Sequence, residues 1–266
     1  MIQRCTEKMG ESGYIYEIFA SIQGEGGSAR GSAFGRHQVF VRFSGCNLPL
    51  IYGHGCVWCD TKKAWDMRTP HATVYTENGV EEIRNPMTKE SVIKYVLDLK
   101  KKSTHSVSIT GGEPLLQPVF LNNLIKTLHS HNISVFLETN ATLPDNLAKI
   151  TEHVDIVSAD IKDRTAIPKI NWEKIMNKEV RTIEEFYGRG SRVYAKYVVT
   201  EGTEDRDVIC VCKSIDHLDI DLVIQPAFGD RISLSRVLGI MNRASEILGS
   251  ERVVLSVQIH KLLEIP

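Results

Sequence analysis

The chain has 266 residues, 42% hydrophobic and 24% charged, with a formal net charge of −1. That length and balance suit one large α/β domain, and the near-zero charge excludes a global basic field that would draw the chain to nucleic acid or an anionic membrane. No apolar run is long enough to cross a bilayer, the polar start at 1–12 lacks the apolar stretch of a signal peptide, and six clustered cysteines do not suit a secreted disulfide framework, so the expected location is cytoplasmic.

In chain order, a polar tail covers 1–15, and Tyr52–Gly55 and His71–Pro86 read as loops. Val92, Tyr95, Val96 and Leu99 repeat at helical spacing behind Thr88, a suitable N-cap. The run Lys100-Lys101-Lys102 closes that helix and suits its dipole. Val107–Thr110 reads as a strand, with a helix after Pro118, and Ile133–Thr139 as a strand, with a helix after Pro144. Val154–Lys162 is the next strand. The long polar stretch Asp163–Gly190 reads as helix plus loop and as an insertion. Arg192–Thr200 and Leu222–Gln225 are strands, and Leu234, Val237, Leu238 and Met241 mark a helix capped by Ser233. Arg252–Ile259 is the last expected strand.

This alternation predicts about six βα units and a mostly parallel sheet within a single domain, 1–266, either partly closed as a barrel or doubly wound. In both folds ligands bind at the C-terminal strand ends. Polar clusters fall there: Thr110-Gly111-Gly112-Glu113-Pro114, Glu138-Thr139-Asn140, Ser158-Ala159-Asp160-Ile161-Lys162 and Gln225-Pro226. Four such clusters on one rim describe one active site.

Cys46, Cys56 and Cys59 crowd into a short stretch with no fourth cysteine nearby. Three thiolates on a four-iron cubane leave one iron open for chemistry. The same residues with His54 could instead form a closed Cys3His zinc site. In Gly111-Gly112-Glu113-Pro114, two glycines let a ligand approach the backbone and the glutamate offers a carboxylate to a cationic group; the alternative is an ordinary βα turn. Cys210 and Cys212 read as small hydrophobes, Cys5 as incidental, and His129, His131, His153 and His217 as solvated or capping residues.

The cysteine triad with Gly-Gly-Glu-Pro resembles the radical S-adenosylmethionine (SAM) superfamily. Its usual spacing is Cys-x3-Cys-x2-Cys, whereas nine residues here separate Cys46 from Cys56. One branch carries such an expanded gap. Glu17-Ile18-Phe19-Ala20-Ser21-Ile22-Gln23-Gly24-Glu25-Gly26, Val41-Arg42-Phe43-Ser44-Gly45-Cys46-Asn47-Leu48, Trp58-Cys59-Asp60-Thr61 and Gln258-Ile259-His260-Lys261 closely resemble that branch, the 7-carboxy-7-deazaguanine synthases. The resemblance implies a partial (β/α)6 TIM-like barrel with a modified, insertion-bearing cluster loop. It implies a [4Fe–4S] cluster on Cys46, Cys56 and Cys59, and SAM against Gly112, Glu113, Ser158, Ala159, Asp160, Gln225, Pro226, Ala227 and Phe228. It implies a pterin substrate held by Ile22, Gln23, Gly24, Arg42, Thr110, His260 and the carboxylate of Pro266, with magnesium on Thr61. The implied reaction is radical conversion of 6-carboxy-5,6,7,8-tetrahydropterin to 7-carboxy-7-deazaguanine with loss of ammonia, on the route to queuosine- or archaeosine-type nucleosides. A flavodoxin- or ferredoxin-like electron donor and a homodimer are expected; direct contact with nucleic acid or membrane is not. Two other readings use part of the same residues. A glycyl-radical-enzyme activating protein would leave Gln23, Arg42, Thr61 and His260 unexplained, and a zinc-stabilised binding module would leave the strand-end clusters unexplained.

Overall fold

The computed structural model describes residues 10–168 and 171–265, so Cys5 and Pro266 lie outside the described residues. In chain order the strands and helices begin with β1 (Ser12–Gly13), β2 (Ile15–Ile22), β3 (His37–Phe43), α1 (Asn47–Tyr52), β4 (His71–Thr76), β5 (Gly79–Arg84), β6 (Met87–Thr88) and α2 (Lys89–Leu99). They continue with β7 (Ser106–Gly111), α3 (Pro118–Ser130), β8 (Val135–Thr139), β9 (Ile156–Ile161), α4 (Trp172–Gly188) and β10 (Arg192–Val199). The last are α5 (Asp205–Ile215), β11 (Asp221–Pro226), α6 (Leu234–Leu248), β12 (Val253–Leu255) and α7 (Ile259–Leu263). None of the described helices is long and apolar enough to cross a membrane.

Ten strands form one sheet in the order β12-β11-β10-β9-β8-β7-β3-β2-β4-β5. From β3 to β12 every neighbouring pair is parallel. β2 runs antiparallel to β3, and the β4–β5 hairpin extends that edge. The sheet does not close on itself, so the architecture is a partial (β/α)6 barrel. Between its two sides, Gly26 N donates to Ser256 Oγ at 3.0 Å and Ile259 N donates to Gly24 O at 3.0 Å, joining the β2–β3 loop to the C-terminal segment.

The alternation of side chains along each strand separates core from site. Val39, Val41, Val107, Ile109, Val135, Leu137, Val157, Ala159, Ala195 and Tyr197 join the large buried cluster beneath the helices. Their sequence neighbours Phe40, Arg42, Thr110, Glu138, Asp160 and Lys196 line a cleft on the opposite face. The floor of the barrel is filled by Phe136, Ile156, Tyr194 and Val223 together with Ala29 and Ala33 of the β2–β3 loop. Arg30 anchors that loop by bonding Asp221 at 2.7 Å through its backbone N–H and its Nε.

Thr88 accepts from Ser91 N and Ser233 from Arg236 N, each at 3.2 Å, so both expected caps form. Three elements differ from the sequence expectation. His71–Pro86 is no loop: it carries the β4–β5 hairpin, in which Ala72 and Val74 turn into the core. After Pro144 only a 3-10 helix, Pro144–Lys149, forms, because few residues separate it from β9. The last strand stops at Leu255, and His260 lies on a short helix instead. Within Asp163–Gly190, α4 covers β9 and β10, burying Trp172, Ile175, Ile183 and Phe186.

Candidate active site

One cleft at the C-terminal ends of the strands gathers Cys46, Cys56, Cys59, Thr61, Gly112, Asp160, Gln225, Ala227 and Phe228 with Ile22, Gln23, Gly24, Arg42, Thr110 and His260. It encloses about 1340 Å³ of empty space, part of it open to solvent.

The cysteines occupy one wall. All three are unpaired thiols. Trp65 Nε1 donates to Cys59 Sγ at 3.2 Å, and the Leu48 N–H donates to the Cys46 sulfur. Burial pushes the Cys46 thiol up to about 12 and raises Cys56 as well, so bound iron would have to draw off their protons. His54 is absent from this wall, its Nδ1 lying 3.2 Å from Gly55 O. Among the described residues no three His, Cys, Asp or Glu side chains are grouped around a single ion. The closed Cys3His set is therefore not assembled, whereas a cubane takes its thiolates at separate corners and needs no such convergence. Cys212 is buried in the core, and Cys210 is exposed on the same helix.

The Gly-Gly-Glu turn also packs against the cluster loop. A Cβ on Gly111 would stand 2.3 Å from Phe43 O, and one on Gly112 would stand 2.0 Å from Gly45 O. The backbone fills that space: Gly112 N donates to Phe43 O at 3.1 Å, and Glu113 N to Gly45 O at 2.7 Å. The glycines thus let the β7 turn lie against the residue before Cys46. Glu113 is fully buried and off the cleft wall. It accepts from Leu115 N at 2.9 Å, Thr139 Oγ1 at 2.8 Å and Asn140 N at 2.7 Å. Asn140 Nδ2 in turn donates to Asn47 Oδ1 at 2.9 Å, tying the end of β8 to the cluster loop.

Burial pushes the Glu113 carboxyl up to about 7, against the pull of those three donors. A carboxyl raised above its ordinary 4.5 contributes stability below that value and loses it as pH rises through about 7. Wild-type protein should therefore lose up to about 3 kcal/mol relative to Glu113→Gln across that window. Chemical denaturation of both proteins at several pH values measures the difference; a constant difference would contradict it.

Ala159 points into the core, Ser158 is buried below the cleft, and Pro226 ends β11 behind its wall. Thr61 Oγ1 donates to Asp60 Oδ1 at 2.7 Å and lies 3.5 Å from Arg42 Nη1. Arg42 is held by Glu17 Oε1 at 2.7 Å and stacks over Phe19. Gly24 makes room for His260, since a Cβ there would stand 2.3 Å from its Nδ1.

Several cleft residues carried no individual role in the sequence reading. Glu138 accepts from Gln23 Nε2 at 2.7 Å and from Thr110 Oγ1 at 2.9 Å. Asp60 lies 3.8 Å from His260 Nε2 and 3.3 Å from Lys261 Nζ. Burial raises its carboxyl, but the neighbouring His260, the hydrogen bond from Thr61 and the nearby Lys261 and Arg42 charges hold it well below the usual range. Lys162 and Lys196 both pair with Asp160. A signal existed: a central parallel strand is buried on both faces, so a charged residue such as Glu138 or Lys196 inside it must be paired or face a site.

A family model described as the radical SAM superfamily matches residues 41–213. The 7-carboxy-7-deazaguanine synthase of Thermococcus kodakarensis is 37% identical over 253 residues, covering 94% of this chain and 97% of that one. The synthase of Methanocaldococcus jannaschii is 34% identical over 258 residues, covering 94% and 98%. The chain belongs to the 7-carboxy-7-deazaguanine synthase family. As a radical SAM enzyme of that family it uses a [4Fe–4S] cluster and SAM. The synthase fold also resembles a structure of TYW1 with a lysine-pyruvate adduct bound, at TM-score 0.52 and 16% identity over 78% of this chain and 72% of that one. Native anSMEcpe with bound AdoMet and a peptide gives TM-score 0.50 at 20% identity, covering 82% and 62%.

Proposed function

We propose that this enzyme converts 6-carboxy-5,6,7,8-tetrahydropterin to 7-carboxy-7-deazaguanine with loss of ammonia, on the route to queuosine- or archaeosine-type nucleosides. The observation that carries the reading is the single cleft in which three free cysteines face Gln23, Arg42, Thr110 and His260. Cys46, Cys56 and Cys59 would hold the cluster, leaving one iron open to SAM. When bound, the cluster and SAM would supply one-electron radical chemistry at the pterin.

The chain's own residues bind, orient and exclude water. The Arg42 Nε is committed to Glu17 and Nη1 reaches Thr61 Oγ1 at 3.5 Å, so the guanidinium is pre-aimed with its terminal edge towards the substrate carboxylate. Thr61 Oγ1 would supply the protein's oxygen to magnesium, which keeps other positions for substrate groups. Glu138 holds Gln23 and Thr110 in place, and its carboxylate suits the N–H edge of a pterin. Asp160, Gln225 and Phe228 would line the SAM side, with Phe228, 57% exposed, at the rim. With this function go a cytoplasmic location, a homodimer and a flavodoxin- or ferredoxin-like electron donor.

Anaerobic incubation of the reconstituted enzyme with the carboxytetrahydropterin, SAM, magnesium and a reductant should give carboxydeazaguanine by mass spectrometry. A protein that cleaves SAM yet leaves the pterin untouched would refute the reading. Arg42→Lys keeps the charge and loses the fork, so KM for the pterin should rise by about 10- to 100-fold with a smaller change in kcat. Steady-state kinetics under the same conditions measures it; an unchanged KM would remove Arg42 from the carboxylate site.

A further inference from the structure

Lys196 and Glu25 carry none of the roles assigned so far, yet they meet inside the cleft. Lys196 is 9% exposed, pairs with Glu25 and stands 3.2 Å from Asp160 Oδ1. Glu25 belongs to the loop that carries Gln23 and Gly24. Its Oε1 accepts from Gln225 Nε2 at 3.2 Å and from Gln258 Nε2 at 2.6 Å. Asp160 is the direct neighbour of Lys196 across the β9–β10 pairing. One ammonium therefore joins the loop on the pterin side to the strand on the SAM side.

Stability does not account for this arrangement. Burying a cation between carboxylates costs desolvation that the attraction often fails to repay, and apolar residues of similar volume commonly serve a core as well. A fixed distance between two subsites does account for it. An ammonium has three donors, and two go to carboxylates from different segments, so it holds both. Radical transfer from SAM to the pterin needs the reacting atoms close and aligned, and a misplacement of about 1 Å can cost about 100-fold.

We propose that Lys196 is a positioning residue which, through Glu25 and Asp160, sets the placement of the pterin relative to SAM. The inference rests on the function proposed above. Its loss should leave SAM cleavage running while separating it from product formation.

The test compares the reconstituted holoenzyme with Lys196→Met, Lys196→Arg and Glu25→Gln, measuring carboxydeazaguanine and 5′-deoxyadenosine together. In Lys196→Met the ratio of 5′-deoxyadenosine to product should rise by about tenfold or more. The electron paramagnetic resonance signal of the SAM-bound reduced cluster should stay as in wild type, and Lys196→Arg should bring the ratio back towards wild type. A merely structural role would lower both products in parallel and leave the ratio alone. Should Lys196→Met fail to fold, Glu25→Gln cuts one arm while keeping the lysine paired to Asp160, and its ratio should rise too. An unaltered ratio in whichever of these proteins folds overturns the inference. Wild-type enzyme that makes no product from the pterin would instead refute the proposed function, so the two failures are distinct.

Discussion

Cys56→Ala protein should lose reductive SAM cleavage by about 1,000-fold or more, because the cluster that supplies the electron is no longer held. Cys56 shares the cleft wall with Cys46 and Cys59. No other described cysteine can replace it, since Cys212 is buried in the core and Cys210 is exposed on α5. The cost to the fold should be small by comparison. Cys56 only packs partly against the core, and removing one sulfur there costs on the order of 1 kcal/mol. Iron content, visible absorbance and 5′-deoxyadenosine formation under anaerobic conditions report the loss, with Cys210→Ala as the matched control expected to behave as wild type. Retained cleavage in Cys56→Ala would take this residue out of the cluster assignment.

Gly112→Ala should act through the fold and disable the site indirectly. The new Cβ would stand 2.0 Å from Gly45 O, 2.5 Å from Gly45 C and 2.9 Å from Ala64 O, all of them backbone atoms that cannot swing aside. Relief requires the β7 turn and the start of the cluster loop to move apart, breaking the Glu113 N to Gly45 O bond of 2.7 Å. Overpacking of this kind, with a lost buried hydrogen bond, costs on the order of 3 kcal/mol. Because Cys46 follows Gly45 directly, cluster loading should fall as well. Denaturant unfolding and iron content measure the two effects. Gly239→Ala supplies the contrast: it lies inside α6 with nothing within 4 Å of the added Cβ, so it should be stabilised by about 0.5–1 kcal/mol. Equal midpoints for Gly112→Ala and wild type would show that the two loops are not rigidly apposed.

The elements legible in advance were those with a local signal. The parallel strands from β7 to β11 announce themselves as short apolar runs, α2 by its stripe and cap, and α6 by its cap, although Leu234 and Leu238 of its expected stripe are exposed and Val237, Ile240, Ala244 and Leu248 form the buried face. The β4–β5 hairpin did have a signal, the alternation of buried Ala72 and Val74 with outward neighbours, but its polar surroundings made it resemble a loop. Glu113 illustrates a different difficulty. A glutamate after two glycines at a strand end suggests a ligand contact, yet its partners Thr139 and Asn140 lie on the next strand's end, and only their arrival shows that the carboxylate is already taken.

By itself the sequence pointed to the chemistry through three thiolates without a fourth, and, by its resemblance to the synthase family, through the Gln23-Gly24 loop, Arg42, Thr61 and the His260-Lys261 pair. Tertiary structure alone decided which of these residues share a space and which support them. It placed Ala159 in the core, packed the glycines of the β7 turn against the cluster loop at the edge of the cleft, and set Lys196 between Glu25 and Asp160. The physical reason is that contacts between residues far apart in the chain depend on strand order, register and barrel curvature. A local pattern records which face a side chain takes, and the long-range pairing of strands decides what meets it there.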